Sequence, residues 1–113
     1  MKVVWFSRHP ALSSQIAELK RLFGEDVQII PDPNPFASAE DILSRFRAKG
    51  GDEMVVVAPL SVLGRLCDLG IKPLWADMEQ VPPEQAEVIA AGRGYRFIRF
   101  RRVKRLVLEF VEV

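Results

Sequence analysis

Ser7, Arg8 and the chain's one histidine, His9, follow one another directly after the apolar run Val3-Val4-Trp5-Phe6 and just before Pro10. A guanidinium holds an anion by charge and by paired hydrogen bonds, and a hydroxyl adds a further donor. An imidazole can give or take a proton near neutral pH. Placed together at the end of a strand, the three make an anion or phosphate site, with Arg8 and His9 as the catalytic candidates and Ser7 as a ligand-binding one. The plainer alternative is a polar loop that carries a surface histidine.

Two further groups belong to the same reading. Met54-Val55-Val56-Val57-Ala58 runs into Pro59-Leu60-Ser61, so Leu60 and Ser61 stand where a helix begins and its free N–H groups favour an anion. Ser61 serves equally well as a helix cap. Asp77 stands at the end of a fourth apolar stretch and is the third ligand-binding candidate. With Glu79 it makes a carboxylate pair that could take Mg²⁺ or simply be solvated.

Several chemistries are excluded. One cysteine and one histidine do not make a structural zinc site or a histidine-rich catalytic metal site. There is no Walker loop, Gly92-Arg93-Gly94 reads as a turn instead of a dinucleotide fingerprint, and the serine nucleophile elbow is absent. No cofactor and no bound metal are expected.

The elements that must position these residues follow from periodicity. Residues 3–6 read as a strand. Leu12, Ile16, Leu19 and Leu22/Phe23 are spaced as a helix face that ends at Gly24. Residues 27–30 read as a second strand. Proline at every second position of Pro31-Asp32-Pro33-Asn34-Pro35 makes a loop. Ser38, three residues before Asp41, starts a second helix with Ala39, Ile42, Leu43 and Phe46 inward and Gly50-Gly51 at its end. The β-branched run 54–58 suits a central strand buried on both faces.

A third helix carries Leu60, Leu63 and Leu66/Cys67 inward to Gly70, and 71–76 is a fourth strand that Pro73 pushes toward the sheet margin. Three right-handed crossovers then give a parallel sheet in the order 2-1-3-4, with ligands expected beyond the strands' carboxyl ends. Residues 77–86 read as a loop or short helix. Residues 87–91, 95–100 and 106–111 read as an antiparallel meander about turns at 92–94 and 102–104. Trp5 reads as core, and Trp75 as core or interface.

The chain's 113 residues suit one domain, 1–113, made of a parallel α/β part (1–76) and a loop with a basic meander (77–113). No apolar run approaches a membrane span, the N-terminus lacks a signal-peptide layout, and a single cysteine fits a reducing cytoplasm. Net charge is +1 but unevenly spread: residues 93–113 carry seven basic and two acidic side chains. This strip, Arg93 through Arg105, either attracts phosphates or keeps edge strands from pairing with other chains. Tyr95, Phe97 and Phe100 among those cations have the composition of a base-stacking platform, or of core or dimer contacts.

Phe6-Ser7-Arg8-His9-Pro10 resembles the opening of a small, stand-alone CRISPR-associated Csx-type ring nuclease family. Gly51-Asp52, the apolar strand, Pro59-Leu60-Ser61-Val62-Leu63 and Arg65-Leu66-Cys67-Asp68-Leu69-Gly70 are similar to its second block. The resemblance spans residues 3–83. It implies a degenerate Rossmann fold, related to sensor domains for cyclic oligoadenylate, and metal-independent linearisation of that messenger. A ribose 2′-hydroxyl would attack its neighbouring phosphodiester, with Arg8 supplying charge and His9 acting as acid or base.

Together these readings predict a small Rossmann-like three-layer α/β domain, four parallel strands plus a C-terminal meander, that pairs as a homodimer around a cyclic oligonucleotide or other phosphate-bearing ligand. Two alternatives stand beside it. One is a non-catalytic nucleotide-binding or regulatory module with the same crevice; the other is an RNA- or DNA-binding protein acting through Arg93 to Arg105.

Overall fold

The computed structural model describes all residues from Met1 to Val113. Six strands and three α-helices alternate: β1 Lys2–Phe6, α1 Ser13–Phe23, β2 Gln28–Pro31, α2 Ala39–Ala48, β3 Glu53–Val56, α3 Leu60–Asp68, β4 Leu74–Val81, β5 Val88–Ala90 and β6 Arg93–Arg102. A single 3₁₀ turn, Pro83–Gln85, links β4 to β5. They build one mixed sheet in the order β2-β1-β3-β4-β6-β5. β1 pairs in parallel with β2 and β3, and β3 with β4, although that last pairing rests on one register pair, Val55↔Leu74. β6 pairs antiparallel with both β4 and β5. No helix is long and apolar enough to cross a membrane.

Strand alternation divides the core in two. Val4 and Phe6 of β1 with Met54 and Val56 of β3 pack against Ile42 and Phe46 of α2 and Leu63 and Leu66 of α3. On the other face Val3, Trp5, Val55 and Leu74 pack against Leu19 of α1. β3 is buried on both faces, as its continuous apolar run requires. The helix ends obey local chemistry. The Ser38 side chain accepts the Asp41 N–H at 3.1 Å, and Gly24 and Gly70 follow α1 and α3 at φ 101° and 90°, values that favour glycine.

Leu60, expected to face inward from the third helix, is instead exposed at the start of α3, and three further expectations need correction beyond residue 70. The fourth strand spans 74–81 instead of 71–76, so Asp77 to Val81 are strand and not loop. Pairing with β6 explains this, since Asp77↔Arg99 and Val81↔Gly94 both lie in that ladder. The hairpin reverses at Ala91-Gly92, where φ is 52° and 74°, the signs of a two-residue type I′ turn, and not at 92–94. The third meander strand is absent: residues 103–113 form no secondary structure. The hairpin is therefore no separate meander but the continuation of a single six-stranded sheet.

One irregularity in β6 sets the faces near the site. Asp77 pairs with Arg99 but Met78 with Phe97, which leaves Ile98 as a bulged extra residue. The bulge resets the alternation, so Phe97 and Phe100 share one face with ring centroids 4.8 Å apart. Phe100 then meets Trp5 edge to face at 6.2 Å. Both phenylalanines thus turn inward.

Past β6 the chain crosses α3. The Val103 N–H donates to the Pro73 carbonyl at 2.9 Å, and the Cys67 thiol donates to the Val103 carbonyl at 3.6 Å. Burial, with the Asp68 charge beside it, pushes the Cys67 thiol up, against a smaller lowering by Lys72. That keeps it in the inert, protonated form. Leu106 lies so close over Gly64 that a methyl there would sit 3.1 Å from it. Beyond Leu106 the segment leaves the body: Leu108, Phe110 and Val111 are 84–89% exposed.

Candidate functional site

β1 and β3 end side by side, and their carboxyl ends open into a cavity of about 380 Å³. A volume of this size falls within the usual range of small-molecule pockets. Its floor is Trp5 and Val56, and Val57, Ala58 and Leu63 close the α3 side. Trp75, Ala76 and Met78 of β4 and Val88 and Ala90 of β5 complete it. Eleven of its fifteen lining residues are hydrophobic, so it suits a largely apolar or aromatic body with few polar groups.

The turn after β1 forms one wall. The His9 N–H donates to Ser7 Oγ at 3.1 Å, a short side-chain turn that fixes both residues. The Trp5 indole N–H donates to the His9 carbonyl at 2.9 Å, tying the turn to the core. Ser7 and His9 line the cavity. Arg8, between them, is exposed and points outside the lining, with no carboxylate within ion-pair distance.

The other candidates lie apart. α3 begins at Leu60 with Pro59 as its N-cap residue, so Ser61 sits inside the first turn and caps nothing. Leu60 and Ser61 are exposed and neither lines the cavity; that strand end contributes Val57 and Ala58 instead. Asp77 lies outside the cavity lining, 3.2 Å from Arg101 Nε and 3.5 Å from Arg99 Nε. Glu79 pairs with Arg96 on the same surface. No three histidine, cysteine, aspartate or glutamate side chains gather as a metal-holding group.

Most of the basic strip is paired within the chain. Arg96, Arg99 and Arg101 meet the carboxylates just named, and Arg102 grips Glu53 through two bonds of 2.7 and 3.0 Å and the Lys72 carbonyl at 2.8 Å. The Glu53 hydrogen bonds raise the Arg102 guanidinium above its ordinary range. Only Arg93, Lys104 and Arg105 of the strip lack such a partner.

The site's most enclosed polar group is Gln15, in the first turn of α1 and 4% exposed. Its Oε1 accepts the Leu12 N–H at 2.8 Å, the position a capping glutamine takes three residues into a helix. Sequence reasoning passed over it, although the Leu12–Gln15 spacing was there to be seen. Trp75 is 44% exposed, so it is not core, and it borders the cavity. Met78, Val88 and Ala90 could be found only through the β4–β6–β5 pairing.

No protein-family model, curated protein or solved structure matches this chain.

Proposed function

We propose that this chain, a Rossmann-like domain in its parallel half, binds a nucleotide at the carboxyl ends of β1 and β3. The base enters the apolar cavity, and a phosphate lies against the Ser7-Arg8-His9 turn. The observation that carries the reading is the join of these two surfaces: an apolar cavity bordered by two indoles, with a polar turn in its wall and a free guanidinium just outside. An aromatic body and an anionic group, linked at short range, satisfy both.

The ligand we propose is a cyclic oligoadenylate, in keeping with the resemblance of Phe6 to Pro10 to ring nucleases. Linearisation would form a bond from a ribose O2′ to phosphorus and break the bond from phosphorus to O5′. The 2′-hydroxyl proton leaves and the O5′ leaving group gains one. His9 is the imidazole in the wall for that transfer, and Arg8 the cation for the developing charge.

Calorimetric titration with cyclic tri-, tetra- and hexa-adenylate in EDTA, against a linear control, tests binding, and chromatography of the products tests cleavage. Saturable binding of one cyclic species is expected. Arg8→Ala should weaken it by about 2 kcal/mol, roughly thirtyfold, through loss of a charged hydrogen bond. The melting temperature should hold within about 1 °C, because Arg8 has no partner in the fold. Absence of binding at millimolar ligand overturns the reading; binding without products leaves a sensor and removes the nuclease.

The RNA or DNA alternative has less support, since four of the seven strip cations are paired internally and Phe97 and Phe100 turn toward Trp5. Polymer binding through the strip would weaken steeply with salt.

We further propose a homodimer built on residues 106–113. These exposed apolar side chains have no cover, and the Cα radius of gyration of 15.2 Å exceeds the roughly 13 Å of a compact chain this long. Light scattering at tens of micromolar should give twice 12.8 kDa. Deleting residues 107–113 should give a folded monomer. A monomeric 113-residue chain would rule the dimer out.

A further inference from the structure

We infer that the Gln15 carboxamide sets the specificity of the cavity, donating a hydrogen bond to a ring-nitrogen or carbonyl acceptor on a flat aromatic ligand. This deepens the binding reading above and rests on it for the cavity's having a ligand. The orientation of the amide is settled by its surroundings. The Leu12 N–H requires an acceptor, so Oε1 turns to the backbone at 2.8 Å and Nε2 turns to the cavity wall. There its one partner is Met78 Sδ at 3.7 Å, a weak acceptor.

An amide nitrogen with two hydrogens is thus held almost out of water with no oxygen or nitrogen to receive either of them. Buried donors normally have an oxygen or nitrogen partner, and one left with only a thioether sulfur is better satisfied by an acceptor that a ligand brings. Two other donors nearby are committed, the Trp5 indole N–H to the His9 carbonyl and the His9 backbone N–H to Ser7. Apart from the Ser7-His9 turn, the lining is mostly aliphatic, thioether or indole, which favours a flat apolar ring in the body of the cavity. A purine fits this description through its ring nitrogens, whereas a ring without an acceptor leaves Nε2 as it is.

Indole and benzimidazole test the point, because they match in size and differ in one ring-nitrogen acceptor. In ¹⁵N–¹H titrations the wild-type chain should bind benzimidazole about fivefold tighter than indole, the scale of one hydrogen bond. The Gln15 side-chain amide signals should move with benzimidazole only. Gln15→Glu keeps an acceptor for the Leu12 N–H while removing both donors, so it should fold and lose the preference to within about twofold. Should that variant fail to fold, Gln15→Met removes the donors without adding charge and should show the same loss.

Equal binding of the two rings, a preference that survives in either variant, or no binding of either ring at millimolar concentration overturns the assignment. The two readings fail separately. A ring preference without any oligoadenylate binding overturns the nucleotide alone, and oligoadenylate binding without a ring preference overturns the role of Gln15 alone.

Discussion

Asp32→Ala is expected to destabilise the fold by about 3 kcal/mol, the scale for removing one partner of a buried ion pair. Asp32 follows β2 in the proline-rich loop and its side chain is 1% exposed. Arg45 Nη1 donates to Oδ1 at 3.2 Å, and Lys49 Nζ stands 4.0 Å from Oδ2. The same guanidinium lies 5.8 Å over the Phe6 ring and 3.6 Å from Asp41. Truncating the aspartate leaves a largely buried cation against Phe6 with only the more exposed Asp41 carboxylate and the Asn34 carbonyl, 3.5 Å from Nη1, to answer it. Chemical denaturation should show the loss at an unchanged m-value, and the melting temperature should fall by on the order of 10 °C. Combining Asp32→Ala with Arg45→Met should cost less than the two changes summed, since no lone charge remains. A loss under about 1 kcal/mol for Asp32→Ala would mean that solvent screens the pair.

Gly51→Ala is expected to cost about 2–3 kcal/mol, the upper range for overpacking a core. Gly51 joins α2 to β3, and the Phe46 ring lies directly upon it. A methyl there would stand 2.5 and 2.6 Å from two Phe46 ring carbons and 2.8 Å from Val4 Cγ2. Phe46 is buried among α2 and α3 side chains and Val4 is in the central part of the sheet, so neither can yield without disturbing the larger core. The companion Phe46→Leu should relieve part of the clash, and the pair should be closer to wild type than additivity allows. Near-wild-type denaturation of Gly51→Ala would show that Phe46 has room to turn.

These two sites illustrate what could and could not be read from the chain. The Ser38–Asp41 cap, the stops at Gly24 and Gly70 and the doubly buried run around Val55 are local or periodic signals, and each reappears in the fold. Asp32 sits in a loop legible only as a loop, and its partners Arg45 and Lys49 lie a helix away. The turn bearing Ser7 and His9 was legible because a strand end announces it. Asp77 was assigned to the site on the premise that its strand stops at residue 76. Antiparallel pairing to β6 extends that strand and gives the carboxylate to Arg99 and Arg101. The alternation of 106–111 is a true strand pattern, but a strand needs a neighbour, and the chain supplies none.

The two tryptophans make the cavity its own optical reporter. Trp5 is 4% exposed and Trp75 is 44% exposed, yet both border the same space. Emission from Trp5 therefore belongs at the blue end of the indole range and is shielded from iodide, whereas Trp75 emits further to the red and is open to collision. A ring seated in the cavity would touch both environments at once, dimming the blue component and protecting the red one from the quencher. Occupancy, and its loss in a variant, can thus be followed in the unlabelled protein by the ratio of two colours.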